Sequence, residues 1–349
     1  MTRILITGGA GFIGSHLADE LLSRGCTVRV LDALIPQVHR DGMRPAYLAA
    51  DVELVTGDVR ERDIVKRALD GIDVVYHLAA RVGVAPSLAE LEDYTSTNNL
   101  GTAVLLEALM ERPVKRLIVA SSNAVYGEGL YRDATDRVHT DVTRTPEQLA
   151  RGEWEPTADG LALSPVATPE WKPPSVASVY AVSKYHQERM CLMVGSAYRI
   201  PTVALRMFNV YGPRMAAGVL TAFAGRYLHG HAPHVFEDGR QRRDFVHVRD
   251  VVAACRLALE VDRAAGGVFN IGSGHAHTIG DVAERLARVL GKRITPHLSG
   301  HARTGDVRHC TADISHARRV LGYRPEIELD AGLAHLAEWL SATSLGVVR

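Results

Sequence analysis

An α/β fold, a doubly wound parallel sheet with a smaller mixed α/β C-terminal lobe, is predicted by three features of the sequence. The chain opens on an unalternating apolar run, Ile4-Leu5-Ile6, which suits a parallel strand buried on both faces. A glycine turn and an amphipathic segment follow at once, the strand–turn–helix order of a βα unit. Apolar runs then alternate with helical patterns through the first half of the chain, which implies right-handed crossovers within one sheet.

The elements follow in order. Residues 15–24 read as a helix with Leu17, Leu21 and Leu22 on one face. Residues 27–31 form a second strand ending at Asp32, and 53–59 a third. A helix over 62–69 leads to a fourth strand, 74–78, which opens into Ala79-Ala80. The helix over 100–111 turns Val104, Leu105, Ala108 and Leu109 inward, and the strand over 116–120 runs into Ser121-Ser122. From about 133 to 174 the periodicity stops, and Pro, Thr and Asp accumulate. A loop of that length inside a compact domain is functional or mobile rather than idle, and Trp154 and Trp171 speak against plain disorder. A long helix opens at Ser178 and runs to about 197, before a sixth strand over 202–206. The resulting division is a main domain over 1–206, carrying the insertion 133–174 and rejoined by 244–271. A second lobe takes 207–243 and 272–349, with elements near 235–236, 281–290 and 331–340.

Composition excludes several classes. Of 349 residues, 40 are Lys or Arg and 40 are Asp or Glu, so no basic surface or tail points to nucleic acid. The four cysteines, Cys26, Cys191, Cys255 and Cys310, lie far apart, which indicates neither zinc nor a disulfide framework and suits a reducing compartment. No apolar stretch approaches membrane-spanning length, and the first residues enter a strand directly, leaving no room for a signal peptide. The expectation is a soluble, cytoplasmic protein. Lysine is rare, confined to Lys66, Lys115, Lys172, Lys184 and Lys292, so a lysine in a motif is conspicuous.

The glycine turn makes a phosphate cradle, because free backbone N–H groups and the positive helix end face an anion. Gly8 permits the tight turn, Gly11 the close approach of a pyrophosphate and Gly14 the helix packing, with Phe12 and Ile13 between them. Asp32, about twenty residues on, is placed to accept hydrogen bonds from ribose hydroxyls and to repel a 2′-phosphate, which selects NAD over NADP. Asp58 and Val59 stand where the adenine edge would lie, and Leu78, Ala79 and Ala80 let a cofactor rest against the backbone. Tyr180 and Lys184 are four apart and share a helix face. An ammonium and a positive nicotinamide ring beside a phenol favour the phenolate, so Tyr180 is the candidate acid–base and Lys184 its partner, holding the nicotinamide ribose. Ser122 would donate a hydrogen bond to the reacting oxygen.

Nine motifs occur in one order: Thr7 to Gly14, Gly57-Asp58-Val59, His77-Leu78-Ala79-Ala80, Asn98 with Gly101-Thr102, Ser121-Ser122 with Val125-Tyr126-Gly127, Tyr180 with Lys184, Leu205 to Arg214, Arg243 to Val248, and Phe269 to Gly274. In these the chain resembles the NAD-dependent epimerase/dehydratase family of extended short-chain dehydrogenases/reductases, with a Rossmann-type sheet, over residues 2 to about 323. The resemblance implies that Asn98 touches the nicotinamide half of NAD, with Ser121 and Val210 also at the cofactor. It implies that Asn209, Arg243 and Arg303 meet the diphosphate of a nucleotide sugar, and that Asp306 holds its ribose. Guanidinium forks suit diphosphate oxygens independently of any family. Val235 and Phe236 would line the base pocket.

The dehydratases and decarboxylases of that family carry an acidic residue after the catalytic hydroxyl, whereas this chain has Asn123-Ala124. Neither titrates, which leaves oxidation and re-reduction at C4 of the sugar, an epimerisation. The long insertion is most similar to that of dTDP-L-rhamnose 4-epimerases and reads as a substrate lid; Arg81 replaces a lysine of UDP-galactose 4-epimerases. Alternatives are a UDP-glucose or UDP-glucuronate 4-epimerase, a keto-sugar-nucleotide reductase, and a non-catalytic dinucleotide sensor. By the same similarity the helices 100–111 and 178–197 would pair two copies in a homodimer, though their apolar stripes equally fit packing on the sheet.

Overall fold

The computed structural model describes residues 1–39, 41–84, 86–303 and 306–346. Seven parallel strands form the main sheet: β1 (Arg3–Thr7), β2 (Thr27–Asp32), β3 (Glu53–Thr56), β4 (Val74–His77), β5 (Arg116–Ser122), β6 (Thr202–Met207) and β7 (Val268–Ile271). Their spatial order is β7-β6-β5-β4-β1-β2-β3. The order reverses between β1 and β4, which are direct neighbours, and there the loops beyond the strand ends diverge to leave a crevice. All seven residues of β5 and all four of β4 are buried, the polar Arg116, Ser121, Ser122 and His77 at their ends included.

Helices cover both faces: α1 (Phe12–Ser23), α2 (Arg62–Ala68), α3 (Gly101–Glu111) and α4 (Val179–Ala197), with α6 (Val248–Glu260) packed on α1. α5 (Val219–Leu228) belongs to the second lobe. Ser178 caps α4, its side chain accepting the Ala181 N–H, which fixes the register of the helix that carries Tyr180 and Lys184. The helix expected from residue 100 begins earlier. A helical turn at Leu91–Tyr94 passes through a π-helical segment, Thr95–Leu100, before α3. Leu100, Val182 and Met193 are exposed, so the apolar stripes of these helices are not wholly spent on the sheet.

The second lobe has its own core, built from Tyr211, Leu220, Phe223, Tyr227, Val235, Phe245 and the inner faces of α7 (Ile279–Val289) and α8 (Leu329–Gly346). Cys310, Ala312, Ile314, Ala317, Leu321 and Tyr323 pack instead into the core of the main sheet, so the last part of the chain serves both units.

The expectation of an insertion without regular structure is corrected. Ser164–Val166, Leu130–Arg132 and Val138–His139 form a three-stranded antiparallel sheet, Thr157–Ala158 and Leu161–Ala162 a hairpin, and Pro146–Ala150 a helical turn capped by Thr145. Strands of two or three residues are too short to show alternation. A small core of Tyr131, Val142 and Leu163 lies among them, and charge ties them to the rest of the chain: Arg308, fully buried, bonds Glu237, Asp238 and Glu155. Arg144 of the insertion bonds Glu237 at 2.7 Å and the Asp306 carbonyl at 3.0 Å. His309 Nε2 and Glu155 lie 2.8 Å apart.

Candidate active site

The crevice at the strand-order reversal is a cavity of about 550 Å³. The Gly8–Gly11 turn forms its floor, and Gly11 is the N-cap of α1, so the free N–H groups of the first helical turn face into it. Gly8 has φ +70°, and a Cβ there would come within 2.8 Å of the Ala79 backbone, where the loops after β1 and β4 meet. A Cβ on Gly14 would strike Gly9 Cα at 2.5 Å, so its role is to let α1 start tight against the turn itself.

Asp32 lines the cavity at the end of β2. Ala10 N–H and Leu34 N–H each donate to its carboxylate at 2.9 Å, which fixes its orientation and leaves lone pairs for hydroxyl donors. Asp58 and Val59 line the same end. Burial alone would push the Asp58 carboxyl up, but its bonds from Arg60 hold it below the usual carboxylate range. Phe12, Ile13, Leu78, Ala79, Ala80, Ser121 and Val210 complete the lining expected from sequence.

At the other end stand Ser122, Tyr180 and Lys184. Ser122 ends β5, and its Oγ accepts the Ala124 N–H at 3.1 Å as the chain turns into a short helical segment, Asn123–Tyr126. The Tyr180 phenol is pushed above its usual value by burial, and the Ser122 hydroxyl beside it pulls it partly back. This corrects the expectation that Lys184 lowers it directly: the Lys184 ammonium bonds Gln187 Oε1 at 2.7 Å. Burial draws that ammonium down to about 8, only partly opposed by Cys191 and Glu188. Beneath the site, Ser121 Oγ donates to Glu188 at 2.6 Å, and Arg206 bonds both Glu188 oxygens at 2.9 and 2.7 Å.

Asn98 is a second correction. It is fully buried, accepts the Arg81 N–H at 2.7 Å and donates to the Arg81 carbonyl and to Ser183 Oγ at 3.1 and 2.8 Å. It ties the loop after β4 to α4 rather than facing the cofactor, while its neighbour Thr97 lines the cavity. Val235 is a third: at 1% exposed it belongs to the lobe core and has no face for a base.

The expected sugar-nucleotide residues gather outside this cavity, on the second lobe. Phe236 is exposed, and the Arg303 guanidinium lies 5.4 Å from its ring centre. Asp306 joins Arg303 and Arg243 at 3.3 and 3.0 Å. Arg243 also bonds the carbonyls of Arg242, Val307 and Arg308, so it must exchange partners to meet a phosphate. Thr304 and Gly305 of that motif lie outside the described residues. On Asn209 the buried Oδ1 has no hydrogen-bond partner among the described residues. Met207, Phe208 and Met215–Ala217 also line the cavity. Sequence reasoning passed over them because apolar wall residues carry no chemical signature.

A dinucleotide fits this lining. The glycine cradle and helix end suit a pyrophosphate, Asp32 a ribose diol, and Tyr180 and Lys184 the reactive end. Among the described residues no cluster of His, Cys, Asp and Glu is suited to a metal, and no helix is long and apolar enough to cross a membrane.

Comparison with known proteins agrees. The model of the NAD dependent epimerase/dehydratase family matches residues 4–148 and 163–272. The gap between the two matched segments falls inside the insertion. A dTDP-L-rhamnose 4-epimerase of Burkholderia thailandensis is 33% identical over 348 residues, 97% of this chain and 95% of the relative. The UDP-glucose 4-epimerase of Thermotoga maritima, solved with UDP-glucose, has a TM-score of 0.81 at 32% identity, covering 98% of this chain and 100% of that one. The UDP-glucuronic acid 4-epimerase of Bacillus cereus, solved with UDP-glucuronic acid and NAD, has a TM-score of 0.82 at 29% identity, with the same coverage.

Proposed function

The chain belongs to the NAD dependent epimerase/dehydratase family, and from that premise we propose that this NAD-dependent enzyme is a sugar-nucleotide 4-epimerase. The observation that carries the reading is the meeting of Ser122, Tyr180 and Lys184 at one end of the dinucleotide cavity, with Asn123-Ala124 and no titratable group next in the chain. NAD, when bound, would supply the hydride chemistry, taking hydride from C4 of the sugar and returning it to the opposite face once the 4-keto sugar has turned in the pocket. Tyr180 takes the C4 hydroxyl proton and later returns it; Ser122 holds the reacting oxygen beside the phenol. Lys184, tied to Gln187, is read as holding the nicotinamide ribose, and the positive nicotinamide ring, when bound, favours the phenolate over the buried phenol. Asp32 selects the unphosphorylated ribose, which disfavours a reductase that exchanges NADPH. Arg243, Arg303 and Asn209 are read as the diphosphate contacts, with Phe236 and Asp306 towards the nucleoside.

The substrate we favour is a deoxysugar nucleotide of the dTDP-L-rhamnose kind, with UDP-glucose and UDP-glucuronate as the alternatives. The relative that acts on dTDP-L-rhamnose is 33% identical along nearly the whole chain. The test is NMR of the protein incubated with each sugar nucleotide without added cofactor. A C4-inverted product establishes epimerisation, and the preferred substrate settles the subgroup. No product from any of the three, even with NAD supplied, overturns the reading. In an active preparation Tyr180→Phe should lower kcat by roughly 10²–10⁴-fold, the range for loss of a positioned acid–base, with KM little changed.

A further inference from the structure

Lys184 is held by a hydrogen-bond train whose polarity is fixed from one end to the other. Thr102 Oγ1 donates its only hydrogen to the Asn98 carbonyl at 2.6 Å, so it can only accept from its other neighbours. One of them is His77 Nε2 at 2.9 Å, which therefore carries the ring proton. His77 is fully buried and stays neutral, since burial and the Lys184 charge pull it down to about 3. Its Nδ1 accepts from Thr7 Oγ1 at 2.8 Å, and Thr7 in turn accepts the Ala79 N–H at 3.2 Å. Gln187, at 0% exposed, donates through Nε2 to Thr102 Oγ1 at 2.8 Å and to the Ala79 carbonyl at 3.4 Å. Its oxygen is then left facing one group, the Lys184 ammonium at 2.7 Å. The same Nε2 lies 3.2 Å from His77 Nε2, so a reversed amide could accept there, but it would set NH₂ against the ammonium and take away the acceptor that Lys184 has in Gln187.

We infer that Gln187 is a positioning residue for the reaction: it holds the buried Lys184 ammonium charged and in place, oriented for that task by Thr102, His77 and Thr7. The inference rests on the reading of Lys184 as the partner of Tyr180. It adds a residue one helical turn beyond the Tyr180–Lys184 pair, buried behind the cavity wall. The need is physical, because an ammonium out of water is costly unless an acceptor replaces its hydration. The other titratable groups around it give little direct help. On its own helix Tyr180 and Cys191 are neutral and Glu188 is spent on Arg206. From β4 comes neutral His77, and the turn at Leu91–Tyr94 presents Tyr94, whose ring meets Tyr180 edge-on.

The test uses the rarity of lysine. With five lysines in the chain, a ¹³C-lysine spectrum of the full-length protein resolves Lys184, assigned by Lys184→Arg. It is titrated with and without bound NAD. Gln187→Leu should weaken the proton affinity of Lys184 by about tenfold or more, and Gln187→Glu should strengthen it. In turnover, Gln187→Leu should move the alkaline limb of kcat to lower pH by the same factor and leave KM for the sugar nucleotide within about twofold, because Gln187 lies behind the cavity wall. A folded variant whose Lys184 titrates as in the wild type overturns the inference. If Gln187→Leu does not fold, Gln187→Glu decides alone. A wild-type protein that turns over no sugar nucleotide, yet shows these lysine shifts, overturns the enzymatic reading and leaves the Gln187–Lys184 link standing.

Discussion

Gly8 shows how much of the site rests on single atoms. With φ +70° and the Ala79 backbone 2.8 Å from where a Cβ would stand, Gly8→Ala must distort the turn and separate the loops after β1 and β4. The variant should fold around the same sheet but lose NAD affinity by at least about tenfold, measured by the dinucleotide retained on purification and by calorimetric titration. NAD held at wild-type strength would show that the cradle is not where the pyrophosphate lies. At this scale the sequence was informative wherever chemistry and backbone direction coincide. Gly8, Asp32 and Ser122 sit at or beyond strand ends, and Tyr180 and Lys184 share a face of one helix, so spacing alone brings them to the cavity. Asn98 and Val235 misled because tertiary packing sets where they point. The π-helical segment Thr95–Leu100 presents Thr97 to the cavity and turns Asn98 inward, and no periodicity in that stretch announces it. Gln187 carried no signal because an amide on a helix has no default role.

Among the elements, the insertion departs furthest from its sequence. Two of its strands pair with Leu130–Arg132 and two with each other, and charge ties it to Arg308, more than 130 residues further along. Glu237 and Arg308 are both fully buried, and Glu155 and Asp238 complete the group around one guanidinium. Removing that cation leaves Glu237 to Arg144 alone, Glu155 to His309 alone, and Asp238 with no cationic partner among the described residues. Arg308→Met should therefore cost about 3–5 kcal/mol, read as a lower midpoint in urea unfolding. It should also loosen the insertion, seen as earlier proteolytic cleavage within 133–174. A midpoint equal to the wild type would mean that the insertion is held by its small sheet alone. Unlike this insertion, the seven strands of the main sheet were largely legible, because each is a run of apolar residues next to a turn signal.

The whole molecule carries an acid sensitivity in its neutral histidines. Burial pulls His247 down to about 4, helped by the positive charge of His335, Arg249 and His16, and His77 lies lower still. The unfolded chain protonates these rings near pH 6.5 while the folded protein refuses the proton, so stability is full above about 6.5 and falls as the pH drops towards 4. Each ring adds up to about 1.4 kcal/mol per pH unit to that loss. His247→Asn keeps a side-chain acceptor for the Arg249 N–H and removes the titration, so its melting temperature should fall less steeply between pH 6.5 and 4. A slope identical to the wild type would rule His247 out as a source of the acid sensitivity.

The dependence of the insertion on Arg308 also bears on biosynthesis. A ribosome delivers Arg144 and Glu155 long before Glu237, and Arg308 after all three. Until then the segment can pair its own short strands and bring Arg144 to Glu237, but Glu155 and Asp238 lack the Arg308 guanidinium, so the segment stays hydrated and open. The chain around the residues proposed to meet the sugar nucleotide is therefore sealed only once residue 308 has been made. Nascent chains halted before and after residue 308 should differ sharply in protease resistance within the insertion, although the sheet strands β1 to β6 are already made in both.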